Sequence, residues 1–218
     1  KALNAGIDAR GLSVTNNSDV VLQATQDRCN AAFINKDDDG NGGNIIISGS
    51  KLEAESSFPG LFSTGHMTID GGEVKAVSTE DAAIWAVGNL TVKGGAKLKL
   101  DGAYPSGCPD GSLFTVEAAD IDAKNSNTEN IPALFNNPEI SGGYQLSFAK
   151  AVDSEGTEID LLSSGTQYFN LYKNVHFVTQ EAVTTIEMPF VKTVKQGGSV
   201  APGKQTFEFE IFDIGNGN

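Results

Sequence analysis

The chain has 218 residues with 28 acidic and 15 basic side chains, a formal net charge of −13, and a field of that sign repels phosphate backbones and anionic headgroups. Nucleic acid is therefore excluded as a partner, the more so because Arg10 and Arg28 are the only arginines and no lysine run interleaved with aromatics offers a stacking groove. No stretch of eighteen apolar residues occurs, which leaves no basis for membrane insertion, and 25 glycines beside two methionines and one tryptophan favour turns over helices.

Taken in chain order, a unit recurs along residues 1 to about 150. A weak copy opens it: Gly6-Ile7-Asp8, then Leu12-Ser13-Val14, an Asn16-Asn17 turn, and Val20, Leu22 and Ala24. Ala32-Phe33-Ile34 leads into Ile45-Ile46-Ile47-Ser48-Gly49-Ser50-Lys51-Leu52-Glu53-Ala54. Gly60-Leu61-Phe62 leads into Met67-Thr68-Ile69-Asp70-Gly71-Gly72-Glu73-Val74-Lys75-Ala76-Val77. Ala83-Ile84-Trp85 leads into Leu90-Thr91-Val92-Lys93-Gly94-Gly95-Ala96-Lys97-Leu98-Lys99-Leu100. Ser112-Leu113-Phe114 and Ala133-Leu134-Phe135 continue the short apolar element, and Ile140-Ser141-Gly142-Gly143-Tyr144-Gln145-Leu146 is a late echo.

Ile45, Met67 and Leu90 stand 22 and 23 positions apart, the length of one coil of three short strands. Apolar and polar residues alternate with period two, which describes strands. A single unit has one apolar face and nothing of its own to cover it, so copies must stack, each strand pairing with its equivalents about 4.8 Å above and below. Glycine pairs at the corners supply positive φ. The expected fold is all-β, a right-handed parallel β-helix of five or six coils with a short C-terminal β extension. Phe33, Phe62, Trp85, Phe114 and Phe135 are expected to stack along its axis. The alternative is an antiparallel sandwich, which does not repeat a glycine corner at so even a spacing.

The expected boundaries are a β-helix over 1–153, a capping segment over 154–187 and the start of a further β unit over 188–218. Two stretches lengthen the period, Ala24 to Ile45 and Leu100 to Leu113, and solenoid insertions leave as loops where binding resides. Cys29 and Cys108 fall in these loops, three coils apart, on the order of 14 Å along the axis. The first loop carries Asp37-Asp38-Asp39-Gly40-Asn41, whose oxygens at Asp37, Asp39 and Asn41 copy the opening of a calcium loop. Ser48 stands where such a loop places its bidentate glutamate, so the expectation is a weak Ca²⁺ site or a solvated acidic turn.

For catalysis, Asp120 with Asp122, or Glu80 with Asp81, are the acid pairs close enough to weigh for glycoside hydrolysis. At one or two positions apart they read as surface charges. A lyase would need a basic group facing a carboxylate cluster, whereas the strand lysines Lys51, Lys75, Lys93, Lys97 and Lys99 read as solvated. His66 and His176 have no Ser or Cys motif beside them and read as structural. No GxSxG, HExxH or phosphate loop occurs.

Residues 1 to 150 resemble the glycine-rich coils of large adhesin-like surface proteins of Gram-positive gut bacteria. Pro189-Phe190-Val191-Lys192-Thr193-Val194, followed by Ala201-Pro202-Gly203-Lys204-Gln205-Thr206-Phe207-Glu208-Phe209, resembles the start of the streptococcal-type pilin domain. In that family a first-strand lysine, matching Lys192, bonds an asparagine on the last strand. The sequence stops at Asn218 before any such strand, so no isopeptide bond is expected and the chain reads as part of a longer surface protein.

These resemblances imply a non-enzymatic extracellular module of the cell wall or cell surface: a rigid rod with one side for contact with host or matrix glycans or proteins. The alternative is a carbohydrate-binding module that uses Phe58, Tyr104 and Tyr144 as stacking platforms.

Overall fold

The computed structural model describes residues 5–127, 129, 131–153, 155–164, 168–183, 195–196 and 199–200. The chain divides into two units, Lys1–Ala182 and Val183–Asn218. In the first unit three strands make a rung. Rung one is β1 (Ala5–Ala9), β2 (Gly11–Val14) and β3 (Asp19–Gln23). Rung two is β4 (Asn30–Ile34), β5 (Asn44–Ser48) and β6 (Lys51–Ser56); rung three is β7 (Leu61–Ser63), β8 (Met67–Asp70) and β9 (Glu73–Ser78). Rung four is β10 (Ile84–Ala86), β11 (Leu90–Lys93) and β12 (Ala96–Gly102). Rung five keeps β13 (Phe114–Val116) and β14 (Ala119–Asn125), and rung six keeps β15 (Glu139–Ile140).

Equivalent strands pair in parallel. The first sheet is β1-β4-β7-β10, the second runs from β2 to β15, and the third from β3 to β14 before its order changes. This is a parallel β-helix of about six turns. Register follows the repeat, Ile45 pairing with Met67, Met67 with Leu90, and Leu90 with Phe114. The interior is filled in columns such as Ile47-Ile69-Val92-Val116 and Leu52-Val74-Leu98-Ile121, all essentially inaccessible to solvent. Each such aliphatic side chain contributes about 1.5–3 kcal/mol on burial.

The corner between the second and third sheets needs left-handed backbone. Gly71-Gly72 and Gly94-Gly95 have φ between 65° and 79°, and Asn16-Asn17 occupies the same place with φ of 63° and 56°. Asparagine tolerates this region better than other residues with a Cβ. At Gly72 a Cβ would lie 2.1 Å from the Ser50 carbonyl oxygen of the rung before.

The corner between the first and second sheets is held by a relay of side chains. Asn44 Oδ1 accepts from the His66 N–H at 2.8 Å, His66 Nδ1 from the Asn89 N–H at 2.9 Å, and Asn89 Oδ1 from the Leu113 N–H at 3.1 Å. Each rung thus satisfies a backbone donor of the next at a bend where strand pairing lapses.

Two expectations are corrected. Ser112-Leu113-Phe114 does not lie on the first sheet: Phe114–Val116 pairs with Leu90–Val92 on the second. The first-sheet place in rung five belongs to Ser106-Gly107-Cys108, where Gly107 bridges Trp85 and Ser106 bridges Leu134. Cys108 is therefore a fully buried interior residue rather than a loop thiol, and Cys29 is buried as well. No disulfide joins them. Burial pushes the Cys108 thiol pKa up, against the pull of the Asn136 amide, which donates to its Sγ at 3.1 Å, and a thiol so placed is unreactive.

The second correction concerns Phe114 alone among the aromatics, since Phe33 with Phe62 and Trp85 with Phe135 do meet along the axis. Phe114 packs inside, but Phe33, Phe62 and Trp85 form one register row on the outside of the first sheet, because their neighbours Ala32, Ile34, Leu61 and Ile84 take the inward positions. Phe33 and Phe62 stack at 5.1 Å with planes 10° apart. Gly107 is next in the row and has no side chain, so Trp85 reaches past it to meet Phe135 edge-on at 5.2 Å. This outer ladder follows the pairing rule for sheets, by which aromatic neighbours on one face stabilise each other.

After Ile140 the parallel order ends. β16 (Tyr144–Val152), β17 (Glu158–Asp160) and β18 (Asn174–Glu181) add to the third sheet antiparallel, with β18 lying between β14 and β16. Thr179 fastens the junction: its hydroxyl donates to the Glu117 carbonyl and accepts from the Ala119 N–H. Phe169, in a 3₁₀ turn (Phe169–Leu171), stacks on Phe177 of β18 at 4.2 Å, and both are fully buried. Leu161, from the short helix α1 (Leu161–Ser164), joins them in closing the core. These residues join the core while β18 covers the β14 edge, which would otherwise template aggregation.

In the second unit, β19 (Lys195–Gln196) and β20 (Ser199–Val200) pair antiparallel. Lys192 lies outside the described residues.

Candidate functional site

The outer face of the third sheet concentrates the charged side chains. On β6, β9, β12 and β14 alternate residues point inward (Leu52, Val74, Leu98, Ile121), leaving their neighbours outside. Parallel register then lines the outward residues into rows that cross the strands. One row is Asp19-Lys51-Glu73-Lys97-Asp120, in strict alternation of sign. Opposite charges directly across a strand pair are stabilising and like charges are not.

The next row, Glu53-Lys75-Lys99-Asp122, breaks the alternation: Lys75 and Lys99 stand directly opposite each other. Lys75 Nζ lies 3.9 Å from Glu53, which Lys51 also approaches at 2.9 Å. Hydrogen bonding and charge from Lys51, then the charge of Lys75, hold the Glu53 carboxyl below the usual range. Lys99 is exposed and makes no ion pair among the described residues. In the third row Lys124 binds Asp101 Oδ2 at 2.8 Å, which raises the lysine above its ordinary pKa. The other oxygen, Asp101 Oδ1, is buried and has no hydrogen-bond partner.

These residues surround a depression of about 280 Å³ lined by Lys75, Val77, Lys99, Asp101, Asp122 and Lys124. A second, of about 200 Å³, adjoins it through Asp122 and continues over the antiparallel strands to Lys150, Glu158, Asn174 and His176. His176 Nε2 meets Asp120 Oδ1 at 2.8 Å, and its ring packs on Phe148 at 4.8 Å. Together they make a shallow track running along the helix axis. A larger hollow of about 550 Å³ sits at the corner between the third and first sheets, where Asp27, Glu55 and Glu80 are its charged residues.

The residues singled out from sequence are dispersed. Phe58 is half-buried at the corner between the third and first sheets; Tyr104, exposed, bridges Ala82 on that side two rungs on. Tyr144 begins β16, at a different corner. Asp37 Oδ1 accepts from the backbone N–H groups of Asp39 and Asn41 at 3.1 and 2.8 Å, and Arg10 lies 3.7 Å from Oδ2. One oxygen of the best calcium ligand thus holds the turn together, while Asp39 and Asn41 are exposed. Among the described residues no group of three His, Cys, Asp or Glu side chains is gathered as a metal site. Asp120 and Asp122 both project outward from β14 into the charged rows.

Taken one by one in the sequence, the strand lysines read as solvated, which hides the track. The signal was present as residues sharing one column of the repeat, and it requires the exact register to see. Comparison with models of known protein families, with curated proteins and with solved structures found no match.

Proposed function

We propose that this chain is a non-enzymatic structural and adhesive module of a cell-surface protein: a stiff rod that extends neighbouring domains and offers one side to host or matrix glycans or proteins. The observation that carries this reading is the unbroken parallel register of the third sheet from β3 to β14. Its outward residues form axial rows of paired charge over a solid aliphatic interior. Such a body resists bending, since each rung is hydrogen-bonded to the next on three sides. It also displays a flat, ordered surface that needs little rearrangement on contact.

A second reading, a carbohydrate-binding module, is favoured by the track on the same sheet. Tyr104 remains open to contact there only from another side of the rod. Calcium at Asp37, Asp39 and Asn41 would serve as a loop staple in either case.

Beads coated with the chain are expected to be retained on immobilised matrix glycans or glycoproteins, with no change in the surface they bind. The appearance of new reducing ends or of unsaturated, ultraviolet-absorbing products would replace the adhesive reading with a hydrolase or a lyase.

A further inference from the structure

We infer that the track on the third sheet binds an acidic sugar chain, one bearing carboxylate or sulfate groups, with Lys99 as its main anion contact and Asp101 as a hydroxyl acceptor. The inference rests on the adhesive reading and supplies its ligand class.

Three features converge within one small area. The first is the like-charge pair. Every other charge in the row that starts at Asp19 faces an opposite partner across the strands, so a sheet selected only for its own stability would alternate here too. Lys75 opposite Lys99 forgoes that gain, and although Asp122 faces Lys99 on β14, Lys99 makes no ion pair within 4 Å among the described residues. An anion placed between the two ammonium groups restores the balance. The net charge of −13 opposes any polyanion at long range, and against it the lining itself sets three lysines beside two aspartates, with Glu53 close to Lys75 at its rim.

The second feature is Asp101, which lines the same depression and whose Oδ1 is closed to solvent and has no hydrogen-bond partner; a turn of the carboxylate would present this oxygen to a donor in the depression. An unsatisfied carboxylate oxygen costs free energy that a donor recovers. Chloride or sulfate has no such donor, whereas a sugar hydroxyl does. The third is Val77, whose aliphatic side chain gives the depression an apolar patch between the charges, fit for the C–H face of a pyranose ring. Anion, hydroxyl and apolar face occur together in an acidic sugar.

The length of the track argues for a chain rather than a monosaccharide. From β9 through β12, β14 and β18 to β16 there are four strand spacings, about 19 Å. The far end offers polar groups in Lys150, which is paired with Glu158, and His176, which is paired with Asp120, with Asn174 beside them.

The test is calorimetric and NMR titration of the whole chain with a tetragalacturonate, a sulfated tetrasaccharide and an uncharged maltotetraose. One or both acidic tetramers are expected to bind and to move the resonances of Lys99 and Asp101, the uncharged one not. Lys99→Gln is expected to weaken binding at least tenfold, while Lys97→Gln, on the same strand in the alternating row, leaves it within about twofold. Absence of binding by either acidic tetramer at about 10 mM overturns the inference. So does an equal loss in the two lysine variants, which would reflect net charge alone. Neither result bears on adhesion to other ligands, whereas cleavage of a tetramer would sink the non-enzymatic reading and leave the site standing.

Discussion

Gly72 and Gly95 both have φ near +80°, at 79° and 76°, yet their surroundings differ. A Cβ on Gly72 would collide with Ser50 backbone, whereas nothing lies within 4 Å of one on Gly95. Gly95→Ala bears only the backbone cost, about 1 kcal/mol, while Gly72→Ala also forces two rungs apart and is expected to cost about 3 kcal/mol or more. Urea denaturation of the two variants separates these outcomes. His66 admits an equally direct comparison. Its Nδ1 is an acceptor in the corner relay, so His66→Asn keeps an acceptor like those of Asn44 and Asn89, and His66→Ala leaves the Asn89 N–H without one. The alanine variant is expected to lose about 0.5–1.5 kcal/mol and the asparagine variant much less. Hydrogen exchange at the Asn89 amide gives the local readout.

Among the elements, the third sheet joins stability to pH. The Glu53 carboxyl is held below its ordinary pKa by Lys51 and Lys75, and Asp160 below its own by Ser163. Groups depressed in the folded state contribute stability above their unfolded values and lose it as pH falls through the folded ones. Lys51, Lys124 and Lys150 are raised by Glu53, Asp101 and Glu158, so their contribution is complete below the unfolded lysine value and is lost as pH rises through the raised one. The thermal midpoint is therefore expected to be level at neutral pH and to decline below about 4.3 and above about 10.4. Each step is small, because these groups are exposed and screened by solvent. Glu53→Gln is expected to make the acid limb shallower, as followed by melting across a pH series.

For the whole first unit, what matters is how a stack of identical edges is brought to an end. β18 enters antiparallel beside β14, and Phe169, Phe177 and Leu161 close the core behind it. Phe177→Ala is expected to cost about 3–5 kcal/mol through the cavity it leaves. It should also loosen β18, exposing the β14 edge to other chains. Light scattering after chromatography should show the variant self-associating at concentrations where the parent chain does not. A variant that is destabilised but does not self-associate would mean that β16 and β18 hold the edge without the plug.

The period of 22 to 23 residues, the alternation within strands and the glycine corners were enough to establish a stacked parallel coil, because one unit cannot bury its own apolar face. They could not assign Ser106-Gly107-Cys108 to a rung, since a side held by isolated bridges has no apolar strand pattern to read. Nor could they show Phe33, Phe62 and Trp85 to lie outside, because in a three-residue strand a shift of one position exchanges the two faces. The charged track was a matter of tertiary structure altogether. Lys75 and Lys99 are 24 positions apart in the chain and become neighbours only when two rungs stack in register, and Asp101 Oδ1 becomes a buried acceptor only once Lys124 and the surrounding strands enclose it. Local sequence determined the repeating coil; the exact stacking of coils decided which charges meet.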